Sequence, residues 1–323
     1  MSVFRVLLIS SIVWAHLWAI PLVETYRTQG VAALEKQAEE VLQSRAYWDA
    51  FIGEKDVSLG YYEREPMLVL VDKTADTLKV FEFEKGNPVL QMNHPVITGI
   101  GGDKQREGDL KTPVGVYDVV RRFVPSDPFY GQIAFALSYP NIMDKRMGKD
   151  GYGIWIHGHP LNSAQRYDQN TRGCVVMTND LLDIFDAKVQ EKKTLTLISE
   201  AGEPKVEKET IVALLTQVFE WRNAWKYSDV NRYMTFYHED FRRFDGMRLE
   251  EFTRMKRTIF SRNEDKMILF NDLAVVPYPN EEGRPLFRVS YHQTYETKNY
   301  QHRGNKEIYV DFSNNQMKIL VER

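Results

Sequence analysis

Apolar residues fall at Val31, Leu34, Ala38, Val41, Leu42, Trp48 and Phe51, with Glu35, Lys36, Glu39 and Glu40 between them. That spacing predicts an amphipathic helix over 31–51 inside an N-terminal helical segment at 25–64. Its apolar stripe has two alternative uses: a cover for its own domain, or a pairing face for a second copy. Before it, residues 6–20 are almost wholly apolar, interrupted by Ser10, Ser11 and His16, after a start that carries Arg5. A membrane span needs ~20 apolar residues. Residues 1–20 therefore read as a signal peptide or an uncleaved anchor, with Ala19 as a cleavage point and Leu17 at the −3 position.

From Met67 the period shortens. Met67-Leu-Val-Leu-Val71 is a continuous apolar run and 78–83 partly alternates. Strands are predicted there and at 114–123, 153–157, 174–177 and 195–198. A helix is predicted at 181–189, with Thr178 or Asn179 as its N-cap. Residues 65–200 thus read as a β-rich domain with few helices. The stretch 201–208, with Gly202 and Pro204, has the composition of a linker. Beyond it, 209–226 predicts an amphipathic helix carrying Trp221 and Trp225, and helix is predicted to continue through Tyr233 and Met247 to Phe260. Strands are predicted at 266–276, 285–297, 306–312 and 317–321. Helices followed by antiparallel strands imply a separate α+β domain at 209–323.

A chain of 323 residues holds two or three domains. A net charge of −3 gives no electrostatic footprint for nucleic acid. The sequence contains one cysteine, Cys174, so an exported chain forms no internal disulfide and keeps a free thiol.

That cysteine sits in a telling place. Ile154-Trp155-Ile156-His157-Gly158-His159 precedes a polar loop, then Thr171-Arg172-Gly173-Cys174-Val175-Val176-Met177 follows. Two neighbouring strands joined by a loop bring the His157 ring toward Cys174, and a histidine base turns a thiol into a nucleophile. The Gly158 carbonyl is placed to orient the imidazole. Gly173 permits a tight turn, and the Gly173 and Cys174 amides are candidates for an oxyanion hole. Arg172 suits a substrate carboxylate, and Thr171 and His159 are further candidates on the substrate side. The bland alternative for Cys174 is a small buried hydrophobe. A zinc site of His157, His159 and Cys174 is a second alternative, disfavoured because no fourth ligand is readable. No cofactor and no metal are expected.

The run Ile-His-Gly, a gap, then Thr-x-Gly-Cys-Val resembles the signature of the L,D-transpeptidase (YkuD-like) cysteine family of peptidoglycan enzymes. Lys111-Thr112-Pro113-Val114-Gly115 resembles that family's Thr-Pro-x-Gly segment, and Gly99, Gly101, Gly102 and Asp109 resemble the stretch before it. The resemblance covers about residues 65–200. It implies a β-sandwich-like catalytic domain with Cys174 as nucleophile, His157 as base and the Gly158 carbonyl orienting the ring. Thr171-Arg172 and Val176 depart from the family's Ser-His-Gly-Cys-hydrophobic-Arg pattern.

The overall plan resembles a branch of L,D-carboxypeptidases that help set the shape of curved bacteria: an exported helical segment, the cysteine domain, then a nuclear-transport-factor-2-like domain. That resemblance implies a periplasmic enzyme, free or anchored to the inner membrane, acting on peptidoglycan stem peptides. It would remove terminal D-alanine from tetrapeptides through a cysteine thioester, leaving tripeptides. In the C-terminal domain, Trp221, Trp225, Tyr227, Tyr233, Phe236, Tyr237 and Phe241 are candidates to line a conical pocket for a glycan, with core packing as their alternative. Two other functions remain open at this point. One is an L,D-transpeptidase that cross-links two stems or attaches protein to the wall. The other is a non-catalytic wall-binding protein in which Cys174 is inert.

Overall fold

The computed structural model describes residues 22–162 and 170–323. The signal segment expected at 1–20 lies outside the described residues. The chain divides after Ile52 into two compact units. In the first, residues 22–29 are helical, followed by α1 (Val31–Leu42) and α2 (Arg45–Ile52). The single helix expected over 31–51 is therefore broken. Gln43 and Ser44 close a tight turn by donating to the Glu40 and Val41 carbonyls, and the Trp48 indole donates to the Leu42 carbonyl at 2.8 Å. No described helix is long and apolar enough to cross a membrane.

The second unit opens with a two-residue strand, β1 (Tyr61–Tyr62). Then come β2 (Met67–Asp72), β3 (Thr77–Glu84), β4 (Asn87–Pro95), β5 (Gly115–Phe123) and β6 (Ala134–Leu137). After the short helix α3 (Ile142–Arg146) follow β7 (Trp155–His157), β8 (Val175–Val176), α4 (Asn179–Val189) and β9 (Thr194–Ser199). Among the described residues these strands, β1 aside, form a sheet in the order β4-β3-β2-β9-β5-β6-β7-β8. β5 is its corner: residues 115–118 pair with β9, and beyond Val119, where the register shifts, it pairs with β6. Val69, Val71, Leu78 and Val80 thus share one core with Phe135, Leu137, Ile156 and Val175, joined by Leu182 and Phe185 of α4. Each such side chain contributes roughly 1.5–3 kcal/mol relative to exposure.

The continuous apolar run of β2 has a direct cause. Its alternate residues Leu68 and Leu70 belong to a second core on the other face. That core is completed by Val276, Tyr278, Leu286, Tyr309 and Leu320 from the C-terminal third. There, α5 (Lys208–Lys226), α6 (Val230–Thr235), β10 (Tyr237–Arg243) and α7 (Leu249–Phe260) precede β11 (Met267–Pro277), β12 (Leu286–Glu296), β13 (Gln301–Asp311) and β14 (Lys318–Glu322). The sheet order is β1-β11-β12-β13-β14-β10.

Three features differ from expectation. β10 is a strand where helix was expected. Its buried residues Tyr237 and Phe241 are four apart, a spacing that suits a strand face as well as a helix face, and pairing with β14 decides it. The 25–64 segment is helical only to Ile52, and Tyr61 pairs with Val275 in the C-terminal sheet. The connection at 201–207 lacks regular structure, yet the regions it joins share a core and ion pairs. Arg288 Nη2 binds Asp118 Oδ2 at 2.7 Å, and Arg146 donates to the Leu320 and Asp240 carbonyls, both at 3.0 Å.

Candidate active site

His157 is the last residue of β7, and Cys174 immediately precedes β8. The two strands pair in parallel, Ile156 opposite Val175 and His157 opposite Val176. This register places both side chains on the wall of one cleft of about 540 Å3. His157 is fully buried. Its Nδ1 lies 2.8 Å from the Gly158 carbonyl oxygen, which can only accept, so Nδ1 carries the proton and Nε2 is left basic. Gly158 has no room for a side chain: a Cβ there would sit 2.1 Å from Asn179 Oδ1 at the start of α4. The glycine thus lets the helix approach the carbonyl that holds the ring.

Gly173 adopts φ +119°, and a Cβ on it would lie 2.7 Å from the Lys111 carbonyl oxygen. The turn it makes is braced by Thr171. Its Oγ1 accepts from the Gly173 amide at 3.0 Å and donates to the Cys174 carbonyl at 2.6 Å, while its own amide donates to the Thr98 carbonyl at 2.7 Å. The Gly173 amide is thus engaged within the turn. Thr171, 3% exposed, braces that turn from the cleft wall. Arg172 is exposed on the cleft wall. His159 lies beyond the end of β7, half-buried, and is not among the residues lining the cleft. Val176 is fully buried, so it acts by packing. Among the described residues no group of three or more His, Cys, Asp or Glu side chains is placed to hold a metal ion, so His157, His159 and Cys174 do not form a ligand set.

Burial governs the titration of the pair. It pushes the Cys174 thiol up to about 11, against the Trp155 backbone amide and Lys104, which pull it down. It pushes the His157 imidazole down to about 4, where the Gly158 carbonyl favours the cation and His159 opposes it. Near neutral pH the resting pair is therefore thiol and neutral imidazole, not thiolate and imidazolium. Iodoacetamide labelling of Cys174 is expected to climb steadily from pH 7 to 10. A rate plateau across pH 6–8 would reveal a preformed ion pair and contradict this assignment.

Tyr130 and Lys104 are among the cleft residues that sequence reasoning missed. Tyr130, in a single helical turn capped by Asp127, places its ring 5.1 Å from the His157 ring. Burial and the nearby Cys174 raise its hydroxyl. Lys104 donates to Asp109 Oδ1 at 2.7 Å. Asp109 also accepts from the Gln105, Arg106 and Lys111 amides. Burial alone would raise its carboxyl, but these donors hold it well below the usual range. The glycine-rich stretch before Lys111 is thus tied into a compact loop. Neither residue carries a local signal, because each matters only through a contact formed in three dimensions.

A second concavity, about 400 Å3, lies in the C-terminal region between α5, α7 and the sheet. Of the seven aromatic candidates, Trp221, Trp225 and Tyr233 line it. Phe236, Tyr237 and Phe241 are core residues, and Tyr227 is 52% exposed. The Lys256 ammonium lies 5.0 Å from the Trp225 ring and 5.1 Å from the Tyr233 ring.

Comparison with known proteins agrees with both regions. Residues 66–198 match the L,D-transpeptidase catalytic domain, and residues 213–323 match the Cds6 C-terminal NTF2-like domain. The structure of the helical cell shape determining protein Pgp2 from Campylobacter jejuni is similar with a TM-score of 0.83 and 45% sequence identity, over 87% of this chain and 100% of that one. Bd1075 of Bdellovibrio bacteriovorus is similar with a TM-score of 0.66 and 29% identity, over 83% of this chain and 96% of that one. The putative L,D-transpeptidase YafK of Escherichia coli K12 is 37% identical over 82 residues, 25% of this chain; the match spans 29% of that relative's length.

Proposed function

Because the chain belongs to the L,D-transpeptidase family and joins that catalytic domain to an NTF2-like domain, we propose that it is a peptidoglycan L,D-carboxypeptidase. The observation that carries this reading is the placement of Cys174 and His157 on paired strands in one cleft, with the imidazole anchored through Nδ1. His157 Nε2 takes the thiol proton as Sγ attacks the carbonyl of diaminopimelate in the bond to terminal D-alanine. The Cys174 amide is the backbone donor we assign to the oxyanion, since Thr171 engages that of Gly173. Collapse of the tetrahedral adduct passes the proton to the departing D-alanine amine. Water then hydrolyses the thioester with the same imidazole as base, releasing a tripeptide stem. Arg172, exposed on the cleft wall, is assigned to the terminal carboxylate of the substrate.

Hydrolysis requires an open approach for water. The polar wall supplied by Lys104, Glu107, Asp127 and Arg172 fits that requirement. The reading places the enzyme in the periplasm, exported by the segment at 1–20. The likeness to a helical cell shape determining protein supports a role in cell shape. We assign the C-terminal cavity to a wall glycan, whose sugar faces suit the Trp225 and Tyr295 rings.

Incubation with a disaccharide-tetrapeptide, with and without excess acceptor stem, tests the reaction by mass analysis. The expected products are the tripeptide and free D-alanine in both cases. Dimers joined through two diaminopimelates as the main product would make the chain a transpeptidase. No product of either kind would leave a wall-binding role.

A further inference from the structure

The loop at 99–113 supplies Lys104, Glu107, Gly108 and Leu110 to the cleft wall, and its Lys111 carbonyl packs directly against Gly173. Its position therefore sets the Gly173–Cys174 turn. Within the loop, Thr112 Oγ1 accepts from the Gly99 amide at 2.8 Å. The rest of the catalytic domain holds it at several points: Glu200 Oε1 accepts from the Gly102 amide at 3.0 Å, Lys73 donates to the Gly102 carbonyl at 2.5 Å, and Asp150 Oδ1 accepts from the Glu107 amide at 2.6 Å. A further anchor comes from the C-terminal domain: Glu281, between β11 and β12, accepts from the Asp103 amide at 2.6 Å.

Asp103 is itself part of a buried charge cluster. Its carboxylate accepts from the Val114 amide at 2.8 Å and from Lys149, whose ammonium also reaches Asp144 at 3.2 Å. Asp103, Lys149 and Asp144 are 7%, 5% and 0% exposed, so each charge depends on the others for compensation. The same β11–β12 connection reaches this cluster a second time. Tyr278, three residues before Glu281, donates to Asp144 Oδ1 at 3.4 Å and accepts from Asn141 Nδ2 at 3.2 Å. A Cβ on Gly115 would lie 2.6 Å from the Tyr278 hydroxyl. The glycine of the Lys111–Gly115 motif is therefore where a ring from the C-terminal domain enters the catalytic one.

We propose that the β11–β12 connection is a positioning element for the active site, in which Glu281, backed by Tyr278, holds Asp103 and with it the 99–113 loop against the Gly173–Cys174 turn. The C-terminal domain then completes the catalytic cleft as well as carrying a cavity of its own. The turnover part of this inference rests on the carboxypeptidase reading; the loop geometry does not.

Three variants of the full chain test it: Glu281→Ala, Glu281→Gln and Arg288→Lys. Glutamine keeps an oxygen that accepts from the Asp103 amide. Arg288 crosses the same interface at Asp118 without touching the loop, so it reports docking alone. For Glu281→Ala, kcat/KM on tetrapeptide is expected to fall about tenfold, the scale of a small misplacement near reacting groups. Iodoacetamide labelling of Cys174 is expected to accelerate about threefold as the turn loosens and the thiol is less enclosed. Amide hydrogen exchange should rise within 99–113. Glu281→Gln should restore all three readouts to within about twofold, and Arg288→Lys should leave them at wild-type values. Wild-type labelling and exchange in Glu281→Ala would overturn the proposal. So would a Glu281→Gln variant as impaired as Glu281→Ala, or an Arg288→Lys variant that reproduces its pattern. If the wild-type chain releases no D-alanine, the carboxypeptidase reading fails, and labelling and exchange still decide the role of Glu281.

Discussion

Cys174→Ala is expected to abolish D-alanine release, a loss on the order of a thousandfold or more, while the protein remains folded. The two halves of that expectation have separate causes. The change removes one sulfur from a half-buried position outside the catalytic-domain core cluster, so the stability cost should be about 1 kcal/mol or less. The loss of activity is chemical, since no other cysteine exists to replace the nucleophile. Cys174→Ser should be equally inactive. A hydroxyl is harder to deprotonate than a thiol, and a buried imidazole whose cation forms only near pH 4 is too weak a base to compensate. Near-normal turnover in Cys174→Ala, measured beside an unchanged melting temperature, would remove Cys174 from the mechanism.

The parts of this site that were legible in the sequence are those encoded locally. The apolar runs around Ile156 and Val175 announce two short strands, and the residues at their ends are the histidine and the cysteine. Gly173 announces a turn, and its positive φ bears that out. The unbroken β2 run marks a strand buried on both faces, although the pattern alone does not say what covers the second face. The rest depends on contacts between distant positions. That Thr171 engages the Gly173 amide follows only once the turn has closed. Tyr130 reaches His157 from another element, and Glu281 binds a residue 178 positions away. β10 is not legible because Tyr237 and Phe241 satisfy two periods at once, and its pairing with β14 is invisible locally.

His157→Gln is expected to lower kcat/KM by about 100-fold or more, whereas His159→Ala should cost less than about threefold. The geometry separates the two rings. His157 lines the cleft and is anchored on the Gly158 carbonyl; His159 lies past the strand end and away from the lining. Glutamine retains a group able to donate to Gly158 but offers no basic nitrogen to the thiol. A second readout does not depend on substrate. The His157 cation is disfavoured in the folded state, with a pKa near 4 against about 6.5 unfolded, so the unfolded chain binds the extra proton first as pH falls. The stability contributed by the neutral ring is fully present above about pH 6.5 and is lost as pH drops toward 4. The loss amounts to roughly 3 kcal/mol, from about 2.5 pKa units at 1.36 kcal/mol each. Chemical denaturation of wild type between pH 7 and 4 should reveal that loss, and His157→Gln should flatten it. Should His159→Ala instead be the inactive variant, or His157→Gln leave the acid sensitivity unchanged, the base has been assigned to the wrong ring.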